Sequence, residues 1–315
     1  MKPVRAAVVG VGYLGRFHAQ KYAASDRAEL VAVCDLDEAA GRAVAEETGT
    51  EFVADYRDLN DAVDAVSIAA STSVHHELSR FFLEHDVHVL VEKPMTVTSA
   101  EASHLTRLAD ERDLRLQVGH IERFNPALLA AREGLGPPSF IECHRLAPFT
   151  QRSADVNVVL DLMIHDLDVI LSLVDAKPVS VSAVGIAALT DTVDVANTRI
   201  EFSSGAIANV TASRASTRSE RKFRVWEDHQ YVSIDFGRGI VQKVRSRGNW
   251  REGESPLDQE SWNLEKGDAL ADEIEAFLDA VQTGSQCIVS GRDGLAALEL
   301  AERILEDIRR RRASH

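Results

Sequence analysis

Short apolar runs alternate with stretches of helical period through the first 120 residues. The runs are Ala6-Ala7-Val8-Val9, Leu30-Val31-Ala32-Val33-Cys34, Glu51 to Val53, Asp64 to Ala69, Val87 to Val91 and Leu114 to Val118. Between them, helical patterns follow Gly15 and cover Glu38 to Glu47, Val74 to Glu84 and Ser99 to Arg112. Apolar runs of that length, each separated from the next by a helix, predict a parallel sheet with right-handed crossovers. Residues 1–120 are therefore expected to form a doubly wound, Rossmann-type α/β domain.

The rhythm changes after Gly119. A turn at Gly134 to Pro138 precedes a strand from Ser139 to Leu146 and a helix from Val158 to Val174. Strand patterns then come in close succession: Val179 to Ala188, Thr198 to Phe202, Ala206 to Ser213, Lys222 to Trp226 and Tyr231 to Asp235. Ser203-Ser204-Gly205 reads as a hairpin turn between two of them. Strands without intervening helices predict a largely antiparallel, open sheet. Arg245 to Trp262 is polar and glycine-rich and reads as a loop, and helices over Asp268 to Gln282 and Gly291 to Arg312 close the chain. Residues 121–315 are thus expected to form a second, α+β domain, with the last helix free to pack back on the first domain.

The junction of the first strand and first helix carries the first candidate chemistry, Gly10-Val11-Gly12-Tyr13-Leu14-Gly15. Gly10 permits a sharp turn, Gly12 lets backbone N–H groups approach a pyrophosphate, and Gly15 lets the helix pack on the strand, with the anion at the helix N-terminus. A GxGxxG alone is a weak signal. Here it follows a strand, opens a helix, and is answered by Asp35 at the end of the second run. A carboxylate there accepts the adenosine ribose hydroxyls and repels a 2′-phosphate, so NAD is expected in preference to NADP.

Composition narrows the class. The 315 residues, 45% hydrophobic and 27% charged, suit two globular domains. No apolar run reaches membrane-spanning length, and the quick passage from Met1 into the first strand leaves no room expected for a signal peptide. Cys34, Cys143 and Cys287 are far apart and form no CxxC, so a reducing cytoplasm is the expected setting. A formal net charge of −15 argues against nucleic acid or an anionic membrane as partner. The basic run Arg309 to Arg312 reads as cations at the C-terminus of the final helix.

In open α/β sheets, ligands sit beyond the carboxyl ends of the strands. Ser71-Thr72-Ser73-Val74-His75 follows the fourth strand and Glu92-Lys93-Pro94 the fifth, which aims Lys93 at the nicotinamide region. By position alone Lys93 fits a surface lysine as well as a functional one, and the proline admits a cis bond before it. In the helix LDLMIHDLDVILSLV, Asp161, His165 and Asp168 fall within about 40° of one another on an otherwise apolar helix. Such a stripe faces solvent or lines a cleft, and by pattern the solvent reading leads. No metal is expected, since D-x-x-x-H lacks a third convergent ligand.

Taken together, GVGYLG, Asp35, STSVHHE, EKP, the D-x-x-x-H helix and the late DEIEAFLDAV with SGRDGLAALELAERI resemble the Gfo/Idh/MocA oxidoreductases over essentially the full chain. The resemblance implies a dehydrogenase acting on CH–OH groups, with a nicotinamide cofactor, a substrate cleft between two domains, and a second domain that serves substrate and oligomerisation. It implies catalytic roles for Lys93, Asp161 and His165. Cofactor contacts are expected from Gly10, Gly12, Tyr13, Leu14, Gly15, Asp35, Ser71, Thr72, His75, Glu92 and Lys93. The family's usual proline after strand four is replaced here by Ser71 or Thr72. Gln117 to Pro126 (QVGHIERFNP), with LDLMIHDLD, resembles the branch that oxidises UDP-N-acetylglucosamine at C3.

The chemistry of such a site is consistent with the residues. Histidine titrates near neutrality and suits the base that takes a hydroxyl proton, a lysine ammonium stabilises the developing alkoxide, and Asp161 orients the imidazole or holds a neighbouring hydroxyl. A nucleotide sugar needs local cations on so acidic a protein. Arg123, Arg152, Arg214, Arg218 and Arg221 are the candidates, with Phe124 and Asn125 beside the first. Three functions stay open: a nucleotide-sugar dehydrogenase, a dehydrogenase or reductase of free sugars or inositols, and a non-catalytic NAD-dependent sensor. The exposed face expected of the second sheet suggests a homo-oligomer, dimer or tetramer.

Overall fold

The computed structural model describes residues 2–150, 156–248, 256–265 and 267–313. Its first elements are β1 (Val4–Val9), α1 (Tyr13–Ala24), β2 (Ala28–Cys34), α2 (Glu38–Thr48), β3 (Glu51–Val53) and β4 (Ala65–Ile68). They are followed by α3 (Thr72–Glu84), β5 (His88–Glu92), α4 (Ser99–Glu111), β6 (Leu116–Gly119) and α5 (Pro126–Arg132). Next come β7 (Phe140–Leu146), α6 (Ile164–Leu173), β8 (Pro178–Ile186), β9 (Val195–Phe202), β10 (Ile207–Ser213) and β11 (Glu220–Glu227). The chain ends with β12 (Gln230–Asp235), β13 (Ile240–Ser246), β14 (Leu257–Asn263), α7 (Ala269–Thr283) and α8 (Gly291–Ala313).

The chain forms two compact units. The first comprises residues up to Ile121 together with Asp268–Leu295, and the second Glu122–Gly267 with the residues from Ala296 on. This differs from a division at residue 120, because α7 belongs to the first unit. The physical reason is its apolar stripe. Leu270, Ile274, Phe277 and Leu278 share one face at helical spacing and are buried in one cluster with Val4, Ala6, Val8 and Tyr22. Gln117 Nε2 also donates to the Glu273 carbonyl at 2.9 Å, tying α7 to β6. The division falls within α8, after Leu295.

The first unit holds a parallel six-stranded sheet of order β3-β2-β1-β4-β5-β6. β1, β4, β5 and β6 are buried on both faces, as their unbroken apolar runs require, while β2 and the edge strand β3 are partly exposed. The order reverses between β1 and β4, the point where such sheets bind ligands.

The second unit holds an eight-stranded sheet of order β14-β13-β12-β11-β7-β10-β9-β8. All its pairings are antiparallel except that of β7 with β10. Along β7, β9, β10 and β12 buried residues alternate with half-buried or exposed ones, and the buried set of the sheet (Ile141, Cys143, Val210, Phe223, Val232) packs with Leu167 and Ile170 of α6 and Ile304 of α8.

Three elements depart from the sequence pattern. The stretch 245–262, expected as a loop, contains the end of β13 and most of β14, while 249–255 lie outside the described residues. β14 is an edge strand, largely exposed, so it lacks the apolar alternation that marks a strand. The short helix α5 is additional; Asn125 caps it by accepting the Ala127 N–H at 3.0 Å, with Pro126 at its first position. The helix expected over 158–174 begins as a π-helical turn, Val159–Met163, before α6.

Candidate active site

In the first unit, the expected residues stand at the carboxyl ends of the parallel strands. Gly10 follows β1 with φ of 84°, and a Cβ there would come within 2.6 Å of the Ala70 backbone. A Cβ on Gly15 would run into the Gly10 carbonyl, so α1 and the turn fit together only without side chains. Gly12 differs. A Cβ there meets nothing within 4 Å, which leaves open space over the first turn of α1. No side chain caps that turn, whereas Asp37, Thr98, Asn125 and Asp268 cap α2, α4, α5 and α7. A positive helix end and room above Gly12 fit a dinucleotide pyrophosphate.

Asp35 follows β2 beside this turn and accepts the Val11 N–H at 2.7 Å through Oδ2 and the Asp37 N–H at 2.9 Å through Oδ1. Leu36, which the sequence reading passed over, is fully exposed at 101%, and Tyr13 is exposed at 68%. Leu36, an uncovered apolar side chain directly after the acid, suits the flat face of an adenine. The signal for Leu36 was its place directly after Asp35.

At the end of β4, Ser71 precedes the first turn of α3 without capping it, and its hydroxyl lies 3.1 Å from that of Ser73. His75 and Glu92, expected as cofactor contacts, are instead turned inward. His75 is buried, with Nδ1 at 3.0 Å from the Pro94 carbonyl and Nε2 at 3.0 Å from the Ala70 carbonyl, so it joins the segments after β4 and β5. Burial holds its pKa below the ordinary histidine value. The Glu92 carboxylate lies 3.0 Å from His18 Nε2 and accepts the Lys93 N–H at 3.3 Å. Lys93 itself is half-buried, and its bond to Pro94 is cis.

In the second unit, Asp161 lies in the π-helical turn and His165 in the first turn of α6. Asn157 Oδ1 accepts the N–H groups of Val159 and Leu160, each at 3.1 Å, and so starts the helical segment. Asp161 and His165 are half-buried, while Met163, Ile164 and Leu167 are buried between and beside them. Asp168, the third member of the stripe, is buried, 3.7 Å from Arg123. The expected three-residue stripe is thus a pair. Asp166 anchors the same helix: it binds Arg145 at 3.0 and 2.8 Å, and Arg145 also donates to Glu122 at 2.9 Å.

Several residues expected to touch substrate have structural partners here. Arg123 is buried beside Asp168, Phe124 is buried, and Asn125 caps α5 while donating to Glu122 at 3.0 Å. Arg214 is 2% exposed; its Nε donates to Asp194 at 2.7 Å, and its fork reaches the hydroxyls of Thr190 at 2.9 Å and Thr192 at 2.7 Å. Arg221 is exposed and 3.8 Å from Glu122, Arg218 is exposed, and Arg152 lies outside the described residues. The cationic cluster anticipated from five arginines is therefore smaller, because Arg123 and Arg214 are buried against acids. Among the described residues, no group of three or more His, Cys, Asp or Glu side chains is placed to hold a metal, and no helix is long and apolar enough to cross a membrane.

Comparison with known proteins is consistent with both halves. The profile of an oxidoreductase family with an NAD-binding Rossmann fold, Gfo/Idh/MocA, matches residues 4–120, and that family's C-terminal domain profile matches residues 129–233. A UDP-N-acetylglucosamine 3-dehydrogenase from Acidithiobacillus ferrooxidans is 41% identical over 93% of this chain and 95% of its own. A solved structure of that enzyme superposes with a TM-score of 0.92 at 39% identity, covering 98% of each chain. A scyllo-inositol 2-dehydrogenase (NAD+) from Bacillus subtilis is 33% identical over 94% of this chain and 92% of its own.

Proposed function

Since the chain belongs to the Gfo/Idh/MocA family of NAD-dependent oxidoreductases, we propose that it oxidises a secondary hydroxyl of a nucleotide sugar, UDP-N-acetylglucosamine at C3. The observation that carries this reading is the near full-length match to the Acidithiobacillus enzyme, at 41% identity against 33% for the inositol dehydrogenase.

A nicotinamide held at this site would supply the hydride acceptor. The protein's own residues do the rest. The turn at Gly10, Gly12 and Gly15 holds the pyrophosphate at the N-terminus of α1, and Asp35 takes the ribose hydroxyls. His165 accepts the proton of the hydroxyl being oxidised, with Asp161 orienting the imidazole or binding a neighbouring hydroxyl. The Lys93 ammonium stabilises the negative charge that develops on that oxygen. Ser71 and Thr72 border the cofactor, and Arg218 and Arg152 serve the substrate's phosphates.

A second reading, oxidation of an inositol or a free sugar, is favoured by one observation. Arg214 and Arg123 are turned to Asp194 and Asp168, which leaves fewer cations for a pyrophosphate. A UDP titration separates the two. UDP should raise the melting temperature of the NAD-bound protein and compete with the sugar substrate. Absence of both effects sinks the nucleotide reading.

The setting is cytoplasmic in this reading, and the active form is a homo-oligomer. Its support is the sheet face opposite the buried core, where Val184 and Ile186 are exposed and the rings of Phe140, Trp226 and Tyr231 stack at 5.1 and 5.0 Å.

A further inference from the structure

A chain of buried polar groups lies behind Lys93 and takes no part in the chemistry above. Tyr22 and His18 lie on α1, Ser67 on β4, and Glu92 ends β5; all four are buried, the first three completely. Tyr22 Oη is 3.0 Å from Ser67 Oγ, Ser67 Oγ is 3.2 Å from His18 Nδ1, and His18 Nε2 is 3.0 Å from Glu92 Oε1. Glu92 Oε2 then accepts the Lys93 N–H at 3.3 Å.

One polarity satisfies every contact with a neutral imidazole. Tyr22 donates to Ser67, Ser67 donates to Nδ1, and the Nε2–H donates to Glu92. Burial pushes the Glu92 carboxyl up, but His18 and the nearby Lys93 charge more than offset this, so it sits below the ordinary glutamate value and is ionised. Tyr22, at the far end of these contacts, is completely buried, and that burial pushes its hydroxyl up. The four groups hold one another in fixed orientations, as a clamp would.

The neighbouring strand makes room for the clamp. Gly119 pairs with Glu92 across β5 and β6, and a Cβ there would lie 2.9 Å from the carboxylate. Ordinary side chains at position 119 would displace Glu92.

We propose that His18 and Glu92 are positioning residues for Lys93, fixing the backbone from which its ammonium reaches the reacting oxygen. Glu92 holds the Lys93 N–H, His18 holds Glu92, and Ser67 with Tyr22 holds the imidazole in one orientation. The inference rests on the reading that Lys93 acts on the substrate.

The test compares Glu92→Gln, His18→Leu, His18→Gln and Lys93→Ala in steady-state kinetics, with NAD affinity and melting temperature measured for each. Glu92→Gln and His18→Leu should lower kcat about tenfold, since small misplacements of a reacting group are costly, with KM and NAD affinity changed less than about twofold. His18→Gln keeps an N–H near the position of Nε2 and should recover most of kcat. If Lys93→Ala is inactive while Glu92→Gln and His18→Leu keep the parent kcat, the pair is structural only and the inference is overturned. If Lys93→Ala itself keeps turnover, the role of Lys93 fails first. Should His18→Leu not fold, Glu92→Gln, which preserves volume, decides alone.

Discussion

Asp35 Oδ2 accepts the Val11 N–H at 2.7 Å, so the acid after the second strand is fastened to the glycine turn after the first. Its other oxygen takes the Asp37 N–H at 2.9 Å, at the start of α2. The carboxylate is therefore held in place beside the glycine turn.

In the proposed reading this fixed carboxylate sets cofactor preference. NAD should bind at least about tenfold more tightly than NADP, in keeping with hydrogen bonds to a charged group. Asp35→Ser combined with Leu36→Arg should narrow or reverse the ratio, as read by fluorescence titration. Tighter NADP binding by the parent protein contradicts the assignment.

Lys93→Ala and His165→Ala should each lower kcat by about two orders of magnitude or more, the scale for losing an electrostatic or general-base group. NAD affinity should hardly change. Near-normal turnover in both variants means the reacting hydroxyl lies elsewhere.

Arg214→Ala should act on stability. Removing one partner of a buried ion pair costs about 3–5 kcal/mol, because the other charge is left buried. Denaturant titration should show this loss, and KM in the remaining folded protein should stay close to the parent value. A variant of parental stability with a raised KM would return Arg214 to the substrate.

Asp194 gives the same cluster a pH signature. Burial pushes its carboxyl up, but the N–H groups of Leu189 and Thr190 and the Arg214 guanidinium outweigh this and hold it well below the usual aspartate range. A depressed folded value means the stabilisation is complete above the unfolded value of about 3.9 and is lost as pH falls through the folded one. The stability of Asp194→Asn should therefore fall less steeply than the parent's as pH drops below about 4. Parallel acid profiles for the two proteins count against it.

Arg218 is exposed and, of the two arginines proposed for the substrate's phosphates, is the one among the described residues. Arg218→Ala should raise KM for the nucleotide sugar more than it lowers kcat, the pattern of lost uniform binding. An unchanged KM removes Arg218 from the substrate site.

Local patterns were the legible part of the sequence. The glycine turn, Asp35 and the alternation of strands and helices in residues 4–120 each depend on neighbours in the chain, and the structure has them in place. Partners distant in sequence were not legible. Arg214 meets Asp194 across 20 residues, and Glu92 meets His18 across 74, so side chains that looked available were already paired. The Asn125-Pro126 start of α5 is a local cap signal that the strand-and-helix alternation does not carry. β14 had no apolar alternation to read, because it lies at a sheet edge. The π-helical turn around Asp161 left no mark in the hydrophobic pattern, since apolar residues occupy both faces of that segment.

The substrate decides the account, and initial rates of NADH formation measure it most directly. With NAD in excess, UDP-N-acetylglucosamine, free N-acetylglucosamine, myo-inositol and scyllo-inositol are compared at equal concentrations. The account predicts that kcat/KM for the nucleotide sugar exceeds every other value by about a hundredfold, the scale at which a site built for one substrate rejects its analogues. Equal or faster oxidation of an inositol or the free sugar, or no turnover of any substrate despite tight NAD binding, contradicts it.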